Sequence, residues 1–229
     1  MNSAFVVLHL LLLTYWLGAD IGVFYASRFV LRPDLPIPAR VVAARIMAVL
    51  DLGPRVCLVL FLPSGVSLMA TDPLGRRTFA GWPLVLAWVG GMAWLGLVLV
   101  DVRRPEGRWS GLLRSLDHNV RYVAVVGLWG VALYVLFDAR PFGVGSNPKW
   151  LAAKVALYAT AIACGLGIRR ALRPFRPAFE SLIASGSTPE VESALRRSIR
   201  RAEPYVFAIW ACVIAAAVFG VVKPGAHLH

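Results

Sequence analysis

Long apolar runs, separated by short segments rich in Arg, Pro and Gly, dominate the chain. Six of these runs are long enough to cross a bilayer, which takes about 20 mostly apolar residues in an α-helix. We predict membrane spans at roughly 4–31, 40–70, 82–101, 116–137, 149–172 and 204–222. The second span begins as an amphipathic stretch, and Pro54 and Pro63 are its expected kink positions. The pattern therefore predicts an all-α polytopic membrane helix bundle that forms a single membrane domain.

The composition excludes an ordinary water-soluble domain. Of 229 residues, 59% are hydrophobic and 16% are charged, whereas a soluble domain has about 45–50% apolar and about 25% charged residues. The same apolar content excludes a disordered chain. The net charge of +12 does not indicate nucleic-acid binding, because no compact basic domain lies outside the apolar runs. We therefore expect a lipid bilayer, and no nucleic acid, as the partner of this chain.

The positive charge predicts how the spans are oriented. Lys and Arg residues cluster after the first, third and fifth spans, and cytoplasmic loops typically carry such an excess. We therefore predict that both termini lie outside and that segment 173–203 is a cytoplasmic Arg-rich loop or helix. Thr188 and Pro189, followed by Glu190 and Glu192, are typical of a helix start. We expect a multi-pass protein of the bacterial inner (plasma) membrane, whose loop arginines face anionic lipid headgroups or, alternatively, a docked protein.

One face of the first helix carries polar side chains, and ionisable groups inside a span are candidate site residues. At about 100° per residue, His9, Trp16 and Asp20 fall within one narrow stripe. Gly18 and Gly22 fall on the opposite side, at a spacing that lets another helix approach closely. The first helix is therefore predicted to have one polar face and one packing face.

Charged residues at the ends of the first two spans are expected to form ion pairs. We expect Asp20 to pair with Arg28 or Arg55, because an unpaired carboxylate in a bilayer is costly. Asp51 and Arg55 are four residues apart and are expected to form a local ion pair at the membrane interface.

Five residues have competing interpretations. An isolated imidazole such as that of His9 hydrogen-bonds another helix, ligates haem iron or a metal ion, or relays protons. His118 is expected at the membrane interface, with a second metal site as the alternative. Lys154 either snorkels to the surface or binds an anionic group such as a carboxylate or a porphyrin propionate. The tail residues His227 and His229 are expected to fray, with weak metal chelation as the alternative.

A series of short pieces, taken in chain order, forms a known pattern. The pieces are His9, Tyr15-Trp16-Leu17-Gly18, Phe24-Tyr25-Ala26-Ser27-Arg28, Pro63 with Gly65, Trp150-Leu151-Ala152-Ala153-Lys154, Arg200-Arg201-Ala202-Glu203-Pro204 and Val221-Val222-Lys223-Pro224. This order resembles the HemJ-type protoporphyrinogen oxidases and the related CopD-like membrane proteins. Those families share a four-helix core, so the third and fourth spans look like an insertion. Ala152 stands where HemJ-type sequences tend to have His.

The resemblance implies a bundle that binds haem b. It points to His9 as an axial ligand and to Lys154 as a residue beside the cofactor, and Trp16 and Arg55 complete the expected cofactor-binding set. His9 and His118 are the expected metal ligands. The CopD branch of the resemblance suggests copper uptake instead. The chain has only four Met and four His residues, however, and these do not form the series of ligands that soft Cu(I) would need.

Three functions follow as hypotheses, and no catalytic residue is assigned in any of them. The leading one is an integral membrane haem-b protein that transfers electrons or acts as an oxidoreductase of the HemJ or CopD-like type. The second is a metal-ion (copper) or proton-coupled transporter with a polar pathway of Asp20, Asp51 and Arg55. The third is a haemless structural subunit that assembles with other membrane proteins or with further copies of itself.

Overall fold

A computed structural model describes residues 2–73, 75–103, 110–138, 140–143 and 149–224. In these ranges the chain forms α-helices and a short 3-10 turn, and none of the described residues is in a strand. The helices are α1 (Asn2–Val30), α2 (Ile37–Leu50), α3 (Leu52–Thr71), α4 (Arg76–Phe79), α5 (Trp82–Arg103), α6 (Ser110–Phe137), α7 (Lys149–Ala171), α8 (Phe175–Ser185) and α9 (Pro189–Val222). The predictions for His227 and His229 lie outside the described residues.

Six helical segments are long and apolar enough to cross a bilayer. They cover Ser3–Val30, Ile37–Thr71, Trp82–Val102, Gly111–Phe137, Lys149–Ser185 and Pro189–Val222. Large apolar side chains stay exposed on their outer faces, as at Val123 (73% exposed), Val126 (71%) and Phe137 (79%). Such a surface is typical of helices that face the apolar interior of a membrane. The predicted all-α, multi-pass membrane bundle is therefore confirmed.

The second span consists of two helices that meet at Asp51. The break lies just before Pro54, which has no N–H to donate to the Leu50 carbonyl and whose ring would crowd that group. Pro63, the other predicted kink position, lies inside α3 and does not end it. Its ring packs against α5 at Gly91, where an added Cβ would lie 3.0 Å from Pro63 Cγ.

The last helix begins before the predicted span at 204–222, because α9 runs without interruption from Pro189 through Pro204 to Val222. Thr188 caps this helix, and its Oγ1 accepts a hydrogen bond from the Val191 N–H at 3.4 Å. The predicted helix start is therefore confirmed. The segment predicted as a cytoplasmic loop or helix contains α8 and the first half of α9.

Two groups of helices form the bundle. In one group α1 packs against α2 and α3, and α3 packs against α5; in the other, α7 packs against both α6 and α9. Buried apolar side chains from both groups meet in one core that includes Trp16, Val59, Ile162 and Val213. Arginines concentrate where α1 and α7 end and where α2, α6 and α9 begin, and we call this the Arg-rich side.

A buried ion pair, which we call the Arg40–Glu192 clamp, joins α2 to α9 at the Arg-rich side. Arg40 Nη1 and Nη2 donate to the two carboxylate oxygens of Glu192 at 2.6 and 3.0 Å. Arg40 Nε donates to the Val30 carbonyl at 2.8 Å, and Ser187 Oγ donates to Glu192 Oε1 at 2.7 Å. Because the Arg40 side chain is 1% exposed, the clamp ties the ends of three helices together away from solvent.

The close helix packing that was predicted at Gly18 and Gly22 of α1 occurs at only one of these two glycines. A Cβ added to Gly22 would lie 2.8 Å from Leu50 Cδ1, so α2 packs against α1 at this glycine and the Leu50 side chain would have to shift. An added Cβ at Gly18 would meet nothing within 4 Å, because no helix packs there. The polar stripe faces the bundle as well, with Trp16 2% exposed.

Candidate functional site

A cavity of about 490 Å³ lies inside the bundle on its Arg-rich side. Its walls come from the second half of α1, the junction of α2 and α3, the end of α7 and the middle of α9, and α6 contributes Arg121. Six charged residues line it: Asp20, Asp51, Arg55, Arg121, Arg169 and Glu203. The remaining lining is mostly apolar, and a pocket with a few polar groups among apolar walls is typical of a small-molecule site.

The acidic wall of the cavity is built around Asp20 on α1. Asp51 adds a second negative charge near it, and the indoles of Trp16 and Trp210 lie beside the Asp20 carboxylate. The Trp210 Nε1 is buried and reaches no acceptor with hydrogen-bonding geometry. No Lys, Arg or His side chain among the described residues lies within ion-pair distance of Asp20. Its charge therefore has no direct counter-charge in the cavity.

The basic wall is a cluster of three charged residues from α6 and α7. The Asp117 carboxylate accepts hydrogen bonds from two side chains. Arg121 Nε donates to its two oxygens at 3.2 and 3.1 Å, and Trp94 Nε1 donates to Oδ1 at 2.9 Å. Arg169 Nη1 lies 2.9 Å from the same carboxylate. The side chains of Asp117 and Arg121 are 5% and 3% exposed. Two guanidinium groups thus share one buried carboxylate at the edge of the cavity.

Two more ion pairs complete the walls. Arg55 donates to Asp51 one helical turn earlier, which confirms the predicted local pair. Glu203 on α9 lies 3.1 Å from Arg28 Nη1, although its Oε1 has no hydrogen bond of good geometry. The prediction that Arg28 or Arg55 pairs with Asp20 is therefore wrong. Each arginine has a nearer carboxylate, which leaves Asp20 with tryptophans as its neighbours.

The predicted site residues fall into separate places. Trp16 and Arg55 line the cavity, whereas His9 and Lys154 do not. Lys154 lies against α9, where its Nζ would be 2.6 Å from a Cβ added to Gly220. His118 packs edge-on against Tyr122, with ring centroids 4.8 Å apart.

His9 lies on the other side of Trp16 from the cavity and packs against α3. The Ser64 Oγ lies 2.8 Å from His9 Nδ1, with which it forms a hydrogen bond, and 3.1 Å from the Phe61 carbonyl oxygen. The imidazole also contacts the Phe61 ring, with centroids 4.4 Å apart. When the Ser64 hydroxyl donates to the Phe61 carbonyl, His9 Nδ1 carries the proton and its Nε2 lone pair is an acceptor or a ligand.

These residues do not fit a haem that occupies the cavity with His9 as its axial ligand, because His9 is not part of the lining. The charged lining residues are carboxylates and guanidiniums, and imidazole, thiolate and thioether are the usual protein ligands of haem iron. The described residues contain no group of three or more His, Cys, Asp or Glu side chains placed to hold a metal ion.

The sequence interpretation did not identify Arg121, Arg169 and Glu203 as site residues. Asp117 and Arg121 have the same four-residue spacing as Asp51 and Arg55, so the local pair had a sequence signal. Arg169 and Asp117 lie on different helices, so the spacing of these two residues in the sequence does not indicate that they are in contact.

Comparison of the chain with protein-family models, with curated proteins and with solved structures found no match. The resemblance to HemJ-type and CopD-like proteins therefore stays a prediction.

Proposed function

We propose that this protein is a proton-coupled transporter of a small solute in the bacterial inner membrane, with the cavity as its solute-binding site. One observation carries the proposal: Asp20, Asp51 and Arg55, the residues expected to form a polar pathway, all line the same cavity. Ionisable groups are costly inside a bilayer and mark solute, ion or proton pathways when they occur there. A cavity that gathers several of them supports solute binding better than a purely structural role.

The position of the cavity supports access from one side of the membrane. Its lining lies toward the Arg-rich side, which we assign to the cytoplasm because Arg-rich loops stay on that side. Toward the opposite side the helices close into a packed apolar core that includes Leu12, Val59, Ala161 and Ile162. This arrangement is the one expected of a transporter whose site is open to the cytoplasm and closed to the outside.

Asp20 is the residue to which we assign the proton. An ionised carboxylate without a counter-charge is unfavourable in an apolar environment, and protonation removes that charge. With Asp20 neutral, the cavity can close to one side of the membrane and open to the other. Release of the proton on that other side then restores the negative charge of Asp20. Asp51 is less suited to this role, because its charge is already compensated by Arg55.

The test is solute-driven proton movement in vesicles that contain the purified protein and an entrapped pH dye. Gradients of phenyl phosphate, phenylalanine and phenyltrimethylammonium present an anion, a zwitterion and a cation that share a phenyl group. We expect at least one of them to drive proton movement above that of protein-free vesicles. Asp20→Asn should abolish the proton movement, because the amide takes up no proton at neutral pH.

Asp34→Asn is the matched control, since Asp34 is an exposed carboxylate outside the apolar helices that pairs with Arg32. It should leave proton movement unchanged. The proposal would be contradicted if none of the three solutes moves protons, or if Asp20→Asn retains the coupling of the unaltered protein.

A haem-b electron-transfer protein or oxidoreductase is the second candidate, and the geometry of His9 favours it. Histidines that ligate metals usually have their other ring N–H held by a hydrogen bond, as Ser64 holds His9 Nδ1. In this case protein purified from haem-replete cells should show a Soret absorption band. The band should disappear in His9→Ala and persist in His118→Ala, and a colourless preparation of the unaltered protein would rule out this candidate.

A further inference from the structure

The Arg121 guanidinium has an unused donor at the cavity. Its Nε is engaged by Asp117, but its Nη2 is buried and has no hydrogen-bond partner among the described residues. A buried charged group without its full set of partners is costly, so such a donor in a cavity wall points to an acceptor that comes from a ligand.

The charge of the basic wall supports the same conclusion. Asp117, Arg121 and Arg169 carry one negative and two positive charges, so this cluster has a net charge of +1. The other arginine of the cavity, Arg55, is neutralised by Asp51. The positive charge that remains uncompensated therefore lies at Arg121 and Arg169, and an anion bound there would neutralise it.

The uncharged residues that line the cavity indicate the chemistry of the rest of the ligand. Phe24, Leu58, Ile168 and Ile209 line the same cavity with apolar surface. A volume of about 490 Å³ is within the range of small-molecule sites, roughly 300–1,000 Å³. A ligand that satisfies both parts of the cavity has an anionic group at one end and an apolar body.

We infer that the cavity binds an organic anion, a carboxylate or phosphate on an apolar body, through Arg121 and Arg169. This inference rests on the proposed function in taking the cavity as the solute site, and it specifies the class of solute. Guanidinium groups bind carboxylate and phosphate through charge-assisted hydrogen bonds, which are stronger than neutral ones. The same chemistry is offered by a soluble anion and by an anionic lipid headgroup.

The first test compares probes of similar size and different charge on the detergent-purified protein. Benzoate and phenyl phosphate should raise the thermal unfolding temperature and bind measurably by calorimetry, because a ligand that binds only the folded state stabilises it. Phenyltrimethylammonium should do neither. Stabilisation by the cation equal to that by the two anions would overturn the inference.

The second test uses Arg121→Met, which leaves Asp117 paired with Arg169 and so should preserve folding. The Kd for phenyl phosphate should rise about tenfold or more, as expected when a charge-assisted hydrogen bond is lost. Arg170→Met is the matched control, because Arg170 is the exposed neighbour of Arg169 on α7 and does not line the cavity. An unchanged Kd in Arg121→Met would overturn the inference.

A third variant gives a gain of affinity that misfolding cannot mimic. Asp117→Asn raises the net charge of the basic cluster from +1 to +2, so phenyl phosphate should bind several-fold more tightly. Weaker binding by folded Asp117→Asn would contradict the charge argument.

Two further comparisons separate the sources of the anion and the two proposals. If phosphatidylglycerol in nanodiscs competes with phenyl phosphate, the cavity accepts lipid headgroups; if it does not, the cavity selects soluble anions. Phenyl phosphate binding without solute-driven proton movement would refute transport and leave the anion site. Proton movement driven by phenyltrimethylammonium alone, without phenyl phosphate binding, would refute the anion site and leave transport.

Discussion

Arg40→Met is expected to lower the free energy of unfolding by about 3 kcal/mol, because it leaves the Glu192 carboxylate in the protein without its counter-charge. The Arg40 side chain is 1% exposed and that of Glu192 is 15% exposed. Breaking a fully buried pair costs about 3–5 kcal/mol, and the residual contact of Glu192 with solvent places this pair at the lower end. Reversible unfolding in mixed detergent micelles measures the change.

The double variant Arg40→Met/Glu192→Met should be more stable than either single variant. It removes both charges and replaces them with apolar side chains, so no uncompensated charge is left. Arg176→Met is the control, because Arg176 forms an exposed pair with Glu180 and such pairs contribute little. Equal unfolding of Arg40→Met and the unaltered protein would show that the clamp does not stabilise the bundle.

Asp117→Asn is expected to destabilise the bundle by a similar or larger amount, about 3–5 kcal/mol. The reason is that Arg121 and Arg169 both rely on this one carboxylate, and the Asp117 side chain is 5% exposed. The amide retains an acceptor for the Trp94 indole but supplies no charge. Two neighbouring guanidinium groups would then repel each other at the edge of the cavity.

Thermal unfolding with and without phenyl phosphate checks this prediction. Because the variant should bind the anion more tightly, phenyl phosphate should recover a larger part of its stability than it adds to the unaltered protein. Asp34→Asn, at an exposed position, should unfold like the unaltered protein in both conditions. A stable Asp117→Asn variant that is indifferent to phenyl phosphate would mean that the cluster contributes neither stability nor binding.

The fold was predictable because its main signal is local. Apolar runs of sufficient length predict membrane helices wherever the chain folds, and the start of α9 was visible in Thr188, Pro189 and two early glutamates. The predicted start of the last span at Pro204, in contrast, does not coincide with the start of a helix. A proline usually suggests a helix boundary, but here the flanking turns pack against α7 and α8, and the helix continues through it.

The candidate site was predictable only where its contacts lie within one helix. Asp51 and Arg55 are a turn apart, so their spacing alone indicated the pair. The partner of Asp20 depends on which side chains of other helices reach it, and that depends on helix rotation and depth. Arg169 was recognised as part of the positive charge that orients the protein, whereas its contact with Asp117 exists only after α6 and α7 have packed.

The uninterrupted course of α9 makes it a lever. Its 34 residues extend about 51 Å at 1.5 Å per residue, whereas the hydrocarbon core of a bilayer is about 30 Å thick. Roughly 20 Å of one rigid rod therefore lies beyond the apolar core. A tilt of about 10° at the membrane surface would move its free end, and Glu192 with it, by about 3.5 Å. The same helix carries Glu203 and Ile209 in the cavity wall, so the clamp and this part of the cavity wall belong to one continuous helix.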